Sequence, residues 1–442
     1  MTTFWCADAQ LPDKIAHGVR IQVADGRIES VTHRRGPDPA DVRLDGLVLP
    51  GMANGHSHIF HRALRGRTHG GGGNFWSWRD EMYAVAARLT PETYRLLARA
   101  VLLEMLTAGW TAVGEFHYLH HGPGGQPYAD PNAMGQAVID AADEVGIRLT
   151  LLDTCYLHGG LTPQGHIPLD DVQQRFADAD VSAWATRVAK LSDGPLTRIG
   201  AAAHSVRALT RSELDEFASA TVGRHVHAHV SEQPAENAAC VAFHGLTPTE
   251  LLADLGLLDE RFTAVHATHL SDRDIDLYGR SGASVCACPT TERDLADGIG
   301  PFRRLADAGV PLTVGSDQSV LVDPFVELRG VEMHERLHSG ERGRFSPREL
   351  LAVGGAHGYA SLGWGGGGQI AAGALADFIA VNPSSRRTAG ASLGQIVYAA
   401  GAGDVTDVVV GGTHVVRRGE HRLGSVDDLL VQAMAQARGV RG

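Results

Sequence analysis

The sequence predicts an α/β fold: a (β/α)8 barrel of the TIM type, inserted into a small β-sandwich built from both termini. Two observations carry this expectation. Eight short apolar runs rich in β-branched residues recur through the middle of the chain, separated by segments of helical spacing, as in a closed parallel sheet. Both ends read instead as short β-runs joined by tight turns. With 442 residues there is chain enough for one large domain and a smaller one.

The eight runs, in order, are GLVLPGMANGHSH, TAVGEFHYL, RLTLLDTCY, TRIGAAAHSVRA, RHVHAHVSE, FTAVHATHL, ASVCACPTT and PLTVGSDQS. Between them, TPETYRLLARAVLLEMLTAG opens on an N-cap threonine with proline at the first helical position and closes on Gly109. DPNAMGQAVIDAADEVG and DPFVELRGVEMHERL have similar spacing, and TPTELLADLG repeats the threonine-proline start and glycine stop. At the N-terminal end, GVRIQVADGRIESVTH reads as two strands around Asp25-Gly26, a strong hairpin signal. GALADFIAVNPSS and DVTDVVVGGTHVVRRGEHRL continue in β-runs at the other end. These patterns place the sandwich at residues 1–47 and 377–442 and the barrel at 48–376.

Composition narrows the function. A formal charge of −12, without basic clusters, argues against nucleic acid, whose backbone rewards Lys and Arg. Apolar stretches such as VLLEMLTAGWTAVG are broken by Glu104 and glycines, so no segment reads as a membrane span. The opening stretch MTTFWCADAQLPDK lacks the basic start and apolar centre of a signal peptide. Five scattered cysteines (Cys6, Cys155, Cys240, Cys286 and Cys288) fit a reduced, cytoplasmic setting. Cys286-Ala-Cys288 has no second pair to complete a zinc site, so it reads as two small residues in an apolar run. HGGGG, from His69 to Gly73, reads as part of a mobile lid; no GK[ST] follows it, which excludes a phosphate-cradling loop.

Chemistry in such barrels sits at the C-terminal ends of the strands, and the polar residues gather there. His56 and His58 end the first run; alternation along a strand points both imidazoles to one face, which suits a divalent metal. His229 and Glu232 end the fifth, His266 and His269 the sixth, and Asp317 the eighth. Each alone could be a buried residue with a backbone partner, and for His227 and His269 that is the preferred reading. His or Asp at the same end of four strands is hard to ascribe to coincidence. Three histidines and one carboxylate make a site for zinc or another divalent ion with an open position for water.

The order His-x-His, His, His, Asp on strands one, five, six and eight resembles the amidohydrolase superfamily. Many of its members hold two metals bridged by a carboxylated lysine from strand four. Here that strand has none, and only Lys14 and Lys190 occur in the chain, both far from any strand end. The resemblance therefore implies one divalent ion, zinc by preference, held by His56, His58, His229 and Asp317. It also implies that Asp317 takes the proton from water, that His266 steadies the tetrahedral intermediate, and that Glu232 shuttles the proton to the departing nitrogen.

Finer motifs in order (HSHIFHRALRG, FWSWRDEMY, EFHYLHH, AAHSVRAL, HAHVSEQ, HATHL and CPTTERDLADG) resemble the N-formimino-L-glutamate deiminases of histidine degradation. This implies a dicarboxylate substrate and a homodimer. Fixed arginines suit two carboxylates, and Arg79 and Arg207 lie near the expected mouth. By resemblance Tyr118 and His204 join them. His61 stands where the family can carry glutamine, and as a neutral tautomer it can donate and accept likewise. His69, His120 and His121 read as loop histidines. The aromatic run Phe75, Trp76, Trp78 keeps open an alternative, a deaminase of an aminated heterocycle on the same scaffold.

Overall fold

The structure is a computed structural model that describes residues 1–70 and 75–439. The chain opens with β1 (Thr2–Gln10), β2 (Ile15–Ala24), β3 (Arg27–His33) and β4 (Val42–Pro50). Asp25 and Gly26 both take positive φ, 49° and 74°, and turn β2 back onto β3 as a two-residue hairpin.

The barrel follows. Its strands are β5 (Met52–Ser57), β6 (Trp110–His117), β7 (Arg148–Cys155), β10 (Thr197–Ala203), β11 (Val226–Val230), β12 (Phe262–His266), β13 (Ser284–Ala287) and β14 (Leu312–Val314). A small hairpin, β8 (Gly160–Thr162) with β9 (Gly165–Ile167), stands on the loop after β7. The principal helices are α1 (Phe75–Ala86), α2 (Pro91–Ala108), α3 (Ala133–Val145), α4 (Val181–Val188), α5 (Arg211–Ala220) and α6 (Pro234–His244). There follow α7 (Pro248–Asp254), α8 (Asp272–Ser281), α9 (Pro289–Asp294), α10 (Phe302–Asp307), α11 (Pro324–Ser339), α12 (Pro347–Ala352) and α13 (Gly358–Ser361). Each of the eight runs supplies one strand of a single parallel sheet, ordered β14-β13-β12-β11-β10-β7-β6-β5. Parallel strands covered on both faces are apolar throughout, and every residue of β6 and β7 is buried.

The helices obey the caps read from the sequence. Thr90 accepts the Thr93 amide, and Gly109, at φ 109°, closes α2 in the left-handed region. Thr247 caps α7 in the same way. Among the described residues no helix is long and apolar enough to cross a membrane.

Two backbone hydrogen bonds close the barrel: His58 N–H to Asp317 O and Asp317 N–H to His56 O, both 2.9 Å. Gly315 permits this seam, because a Cβ there would lie 2.6 Å from His56 O and 2.8 Å from its Cβ.

The chain returns through β15 (Phe378–Val381), β16 (Val405–Val410), β17 (Thr413–Arg417) and β18 (Glu420–His421). These extend the N-terminal strands into one sheet, ordered β18-β17-β16-β15-β4-β1-β2-β3. Phe4, Val19, Ile21, Leu44, Phe378 and Val409 belong to its own apolar core. A last element, α14 (Val426–Arg438), packs on α2 of the barrel; the β-runs expected at this end stop before it.

Candidate active site

The ends of β5, β11 and β14 bring His56, His58, His229 and Asp317 together at the barrel's C-terminal mouth. His229 Nε2 lies 3.2 Å from His56 Nε2 and 3.4 Å from His58 Nε2. Asp317 Oδ1 is 3.4 Å from His56 Nε2 and 3.5 Å from His58 Nε2. His58 Nδ1–H donates to Phe116 O at 3.1 Å, and His229 Nδ1–H donates to His204 O at 3.0 Å. A neutral imidazole carries one proton. Both Nε2 atoms therefore present lone pairs, and the 3.4 Å contact between them cannot be a hydrogen bond. Burial pushes the pKa of His56 down to about 3 and lowers those of His58 and His229, keeping the rings neutral as metal binding requires. Lone pairs converging beside an ionised carboxylate fit a divalent cation of the kind imidazole and carboxylate bind.

Backbone strain gathers at the same place. His266, Ala267, Asp317 and Ser319 have φ of 70°, 51°, 44° and 55°, and Ser231, two residues after His229, has 52°. Side-chain-bearing residues in this region store strain and cluster at functional sites.

His266 sits across from the cluster, its Nε2 3.9 Å from both Glu232 Oε1 and Asp317 Oδ2, its Nδ1 3.6 Å from Glu292 Oε1. Burial alone would discharge it, but the three carboxylates outweigh burial and push its pKa up to about 10. Opposing burial in turn, the histidines hold Asp317 well below the usual carboxylate range.

One cavity opens onto this centre. Its wall includes His58, His61, Arg79, Tyr118, His204, Arg207, His229, Glu232, His266 and Asp317. Of the residues expected from sequence only His56 lies outside that wall; it is wholly buried beneath. His61 Nε2 and the Tyr118 hydroxyl share a 2.8 Å hydrogen bond. Arg79, on α1, pairs with Asp170 at 3.1 Å and lies over the Tyr83 ring. Arg207 donates to Glu232 Oε2 at 3.3 Å and has buried Glu236 3.8 Å away.

The cavity also takes in Trp78, from the aromatic run that kept the heterocycle alternative open, and Tyr156, Gln173 and Gln318, which sequence reading did not assign. Tyr156 ends the third apolar run, so its position at a strand end was a signal available in the sequence.

Several histidines fall elsewhere. His227 Nε2–H donates to Ser361 O at 3.1 Å and His269 Nε2–H to Asp297 O at 2.7 Å, as ordinary backbone-satisfied residues. His120 and His121 follow β6 in a loop, yet both are buried, in an ionic network the loop reading missed. His121 faces Asp178 at 3.4 Å, and Arg187 grips both Asp153 and Asp178. His117, His120 and Asp153 also bring ligand atoms close together. Asp153 Oδ1 and Oδ2 already receive Arg187 donors at 2.9 Å, and Trp184 adds a third at 3.0 Å, so a guanidinium fills the cation's place. His69 pairs with Asp294 at 2.7 Å, while Gly71 to Gly73 of the HGGGG run lie outside the described residues. All five cysteines are buried and free, including Cys286 and Cys288.

The amidohydrolase family pattern matches residues 47–415. The chain belongs to the amidohydrolase family. It is 35% identical to the formimidoylglutamate deiminase of Pseudomonas aeruginosa, over 95% of this chain and 96% of that one. It is 30% identical to a 5-methylthioadenosine/S-adenosylhomocysteine deaminase of Halobacterium salinarum, over 89% of this chain and 86% of that one. Among solved structures, an amidohydrolase from Brucella melitensis superposes with a TM-score of 0.90 at 33% identity, covering 99% of this chain and 100% of that chain. As an amidohydrolase with such relatives, the protein is a hydrolase acting on carbon–nitrogen bonds, and at the mouth of its barrel His56, His58 and His229 bring together ligand atoms that could hold a metal ion.

Proposed function

We propose that the protein hydrolyses N-formimino-L-glutamate to N-formyl-L-glutamate and ammonia, using one divalent ion, zinc by preference. The observation that carries this reading is the pair Arg79 and Arg207, which line the cavity, Arg79 beside Asp170 and Tyr83, and Arg207 beside Glu232, Glu236 and Ser205. Two fixed cations beside a hydrolytic centre suit a small acyclic dicarboxylate. The 35% identity to a formimidoylglutamate deiminase points the same way.

His56, His58, His229 and Asp317 would hold the ion, which supplies Lewis-acid activation of water. The absence of lysine from β10 is the reason for expecting one ion and not two. Around it, each residue has a task its position allows. Asp317 accepts the proton that water gives up on adding to the formimino carbon. His266 places positive charge beside the oxygen of the tetrahedral intermediate. Glu232 carries that proton on to the amino nitrogen as its bond to carbon breaks and ammonia leaves. Arg79 and Arg207 hold the two carboxylates, while Tyr118, His61 and His204 line the intervening wall. We further propose a homodimer working in the cytoplasm in histidine degradation.

A second reading, deamination of an aminated heterocycle, draws on the aromatic wall of Trp78, Tyr83, Tyr118 and Tyr156 and on the adenosine-type relatives. Ammonia release measured against formiminoglutamate, formiminoaspartate, guanine, cytosine and adenosine separates the two. Turnover of a base with none of formiminoglutamate would overturn the first reading.

A further inference from the structure

We propose that Tyr156, outside the set assigned above, binds substrate by donating its hydroxyl proton to a carboxylate oxygen beside Arg207, with Gln173 as the positioning residue that fixes this polarity. The inference rests on the dicarboxylate reading.

Tyr156 follows β7 directly and forms part of the cavity wall, its ring packed on His204 with centroids 4.5 Å apart. The direction of each hydrogen bond around it follows from chemistry alone. A backbone N–H can only donate, so the Asp170 amide, 2.9 Å from Gln173 Oε1, marks that atom as the carbonyl oxygen. A backbone carbonyl can only accept, so Gly159 O, 3.2 Å from Gln173 Nε2, marks that atom as the amide nitrogen. The two contacts agree. Nε2 therefore donates to the Tyr156 oxygen at 3.0 Å, and the phenol proton must point elsewhere. Among the described residues no acceptor takes it.

The loop that carries Gln173 is pinned as well. Asp170 Oδ1 accepts from the Val172 and Gln173 amides at 3.0 and 2.9 Å, while its other oxygen meets Arg79. Burial holds the phenol protonated, pushed up to about 12 against the opposing charge of Arg207. A phenol directed in this way and a guanidinium can both only donate. Together they accept a carboxylate and reject a carboxamide that presents its NH2, so Tyr156 is a specificity determinant.

The test uses metal-loaded enzyme, with Tyr156→Phe and Gln173→Glu, assayed by ammonia release. Substrates are formiminoglutamate and two analogues in which one carboxylate or the other is a carboxamide. Tyr156→Phe should lose about ten- to a hundredfold in kcat/KM on the diacid, chiefly through KM, the weight of one hydrogen bond to a charged group. It should lose far less on one of the two carboxamides, so discrimination narrows. In Gln173→Glu the new carboxylate takes the phenol proton, turning it from the cavity. That variant should reproduce the loss with Tyr156 intact, and it keeps the test valid should Tyr156→Phe fail to fold. Unchanged discrimination in a wild type that prefers the diacid overturns the role of Tyr156 and leaves the dicarboxylate reading standing. So does a uniform loss on all three substrates, which packing alone would cause. A wild type that releases no ammonia from formiminoglutamate overturns both.

Discussion

Arg79 and Arg207 should differ in stability while resembling each other in catalysis. Each is expected to make a charge-assisted contact with one substrate carboxylate, worth about 1.5–3 kcal/mol net. At tenfold per ~1.4 kcal/mol, Arg79→Ala and Arg207→Ala should each lower kcat/KM by about ten- to over a hundredfold. Lysine restores charge without the bidentate fork and should recover only part of the loss. Stability separates them. Arg79 and its partner Asp170 are 31% and 38% exposed, so removing this pair should cost no more than about 1 kcal/mol. Arg207 is 26% exposed but stands beside Glu236, which is almost wholly buried at 1%. Its loss leaves that carboxylate uncompensated, at about 1–3 kcal/mol after allowing for water around Arg207.

The penalty should depend on pH. Burial already raises the Glu236 carboxyl above its ordinary value, and Arg207 opposes that rise. Without Arg207 the folded-state pKa moves further up. An acid whose folded pKa lies above its unfolded one leaves stability untouched at low pH, and costs stability as pH climbs from the unfolded value through the folded one. Arg207→Ala should therefore be more destabilised at pH 8 than at pH 5, as read from thermal unfolding at both. An equal penalty at the two pH values would refute the account of Glu236. Full kcat/KM on formiminoglutamate in both alanine variants would refute the account of the substrate and bring the heterocycle reading forward.

Elemental analysis should find about one divalent ion per chain, and His58→Ala should lose both ion and activity; two ions per chain would contradict the argument from the missing lysine. Glu232→Gln should retain the ion while kcat falls by about a hundredfold or more, the usual weight of proton transfer; loss of the ion instead would make Glu232 a ligand. Asp153 and Asp178 are buried, which raises a carboxyl, but Arg187 and the neighbouring histidines overcome this and lower both. Their contribution to stability should be complete above about pH 5, decline as pH falls below the unfolded value near ~3.9, and be lost only as pH falls through the lowered folded values. Arg187→Met should flatten that acid limb in a pH series of melting temperatures.

What the sequence revealed of the site and what it hid have separate physical causes. His56, His58, His229, His266 and Asp317 were legible because a strand fixes both the direction and the depth of its last residues. No such rule covers Gln173, whose hydrogen bond to Tyr156 exists only because the loop after β7 folds back on itself. His120 and His121 occupy a loop as expected, but their burial depends on Asp153, Asp178 and Arg187, which folding brings in from distant parts of the chain. The helical spacing of α14 followed directly on β-runs, and only its packing on α2 separates it from them.

The seam between β5 and β14 joins fold to chemistry most closely. Gly315 must be glycine because the backbone of His56 occupies the space of its Cβ. That approach sets Asp317 Oδ1 3.4 Å from His56 Nε2 and 3.5 Å from His58 Nε2 across the closing edge. The closure that completes the barrel also assembles three of the four expected ligands. The left-handed residues at Asp317 and His266 hold against local preference because the closed sheet fixes the backbone on both sides.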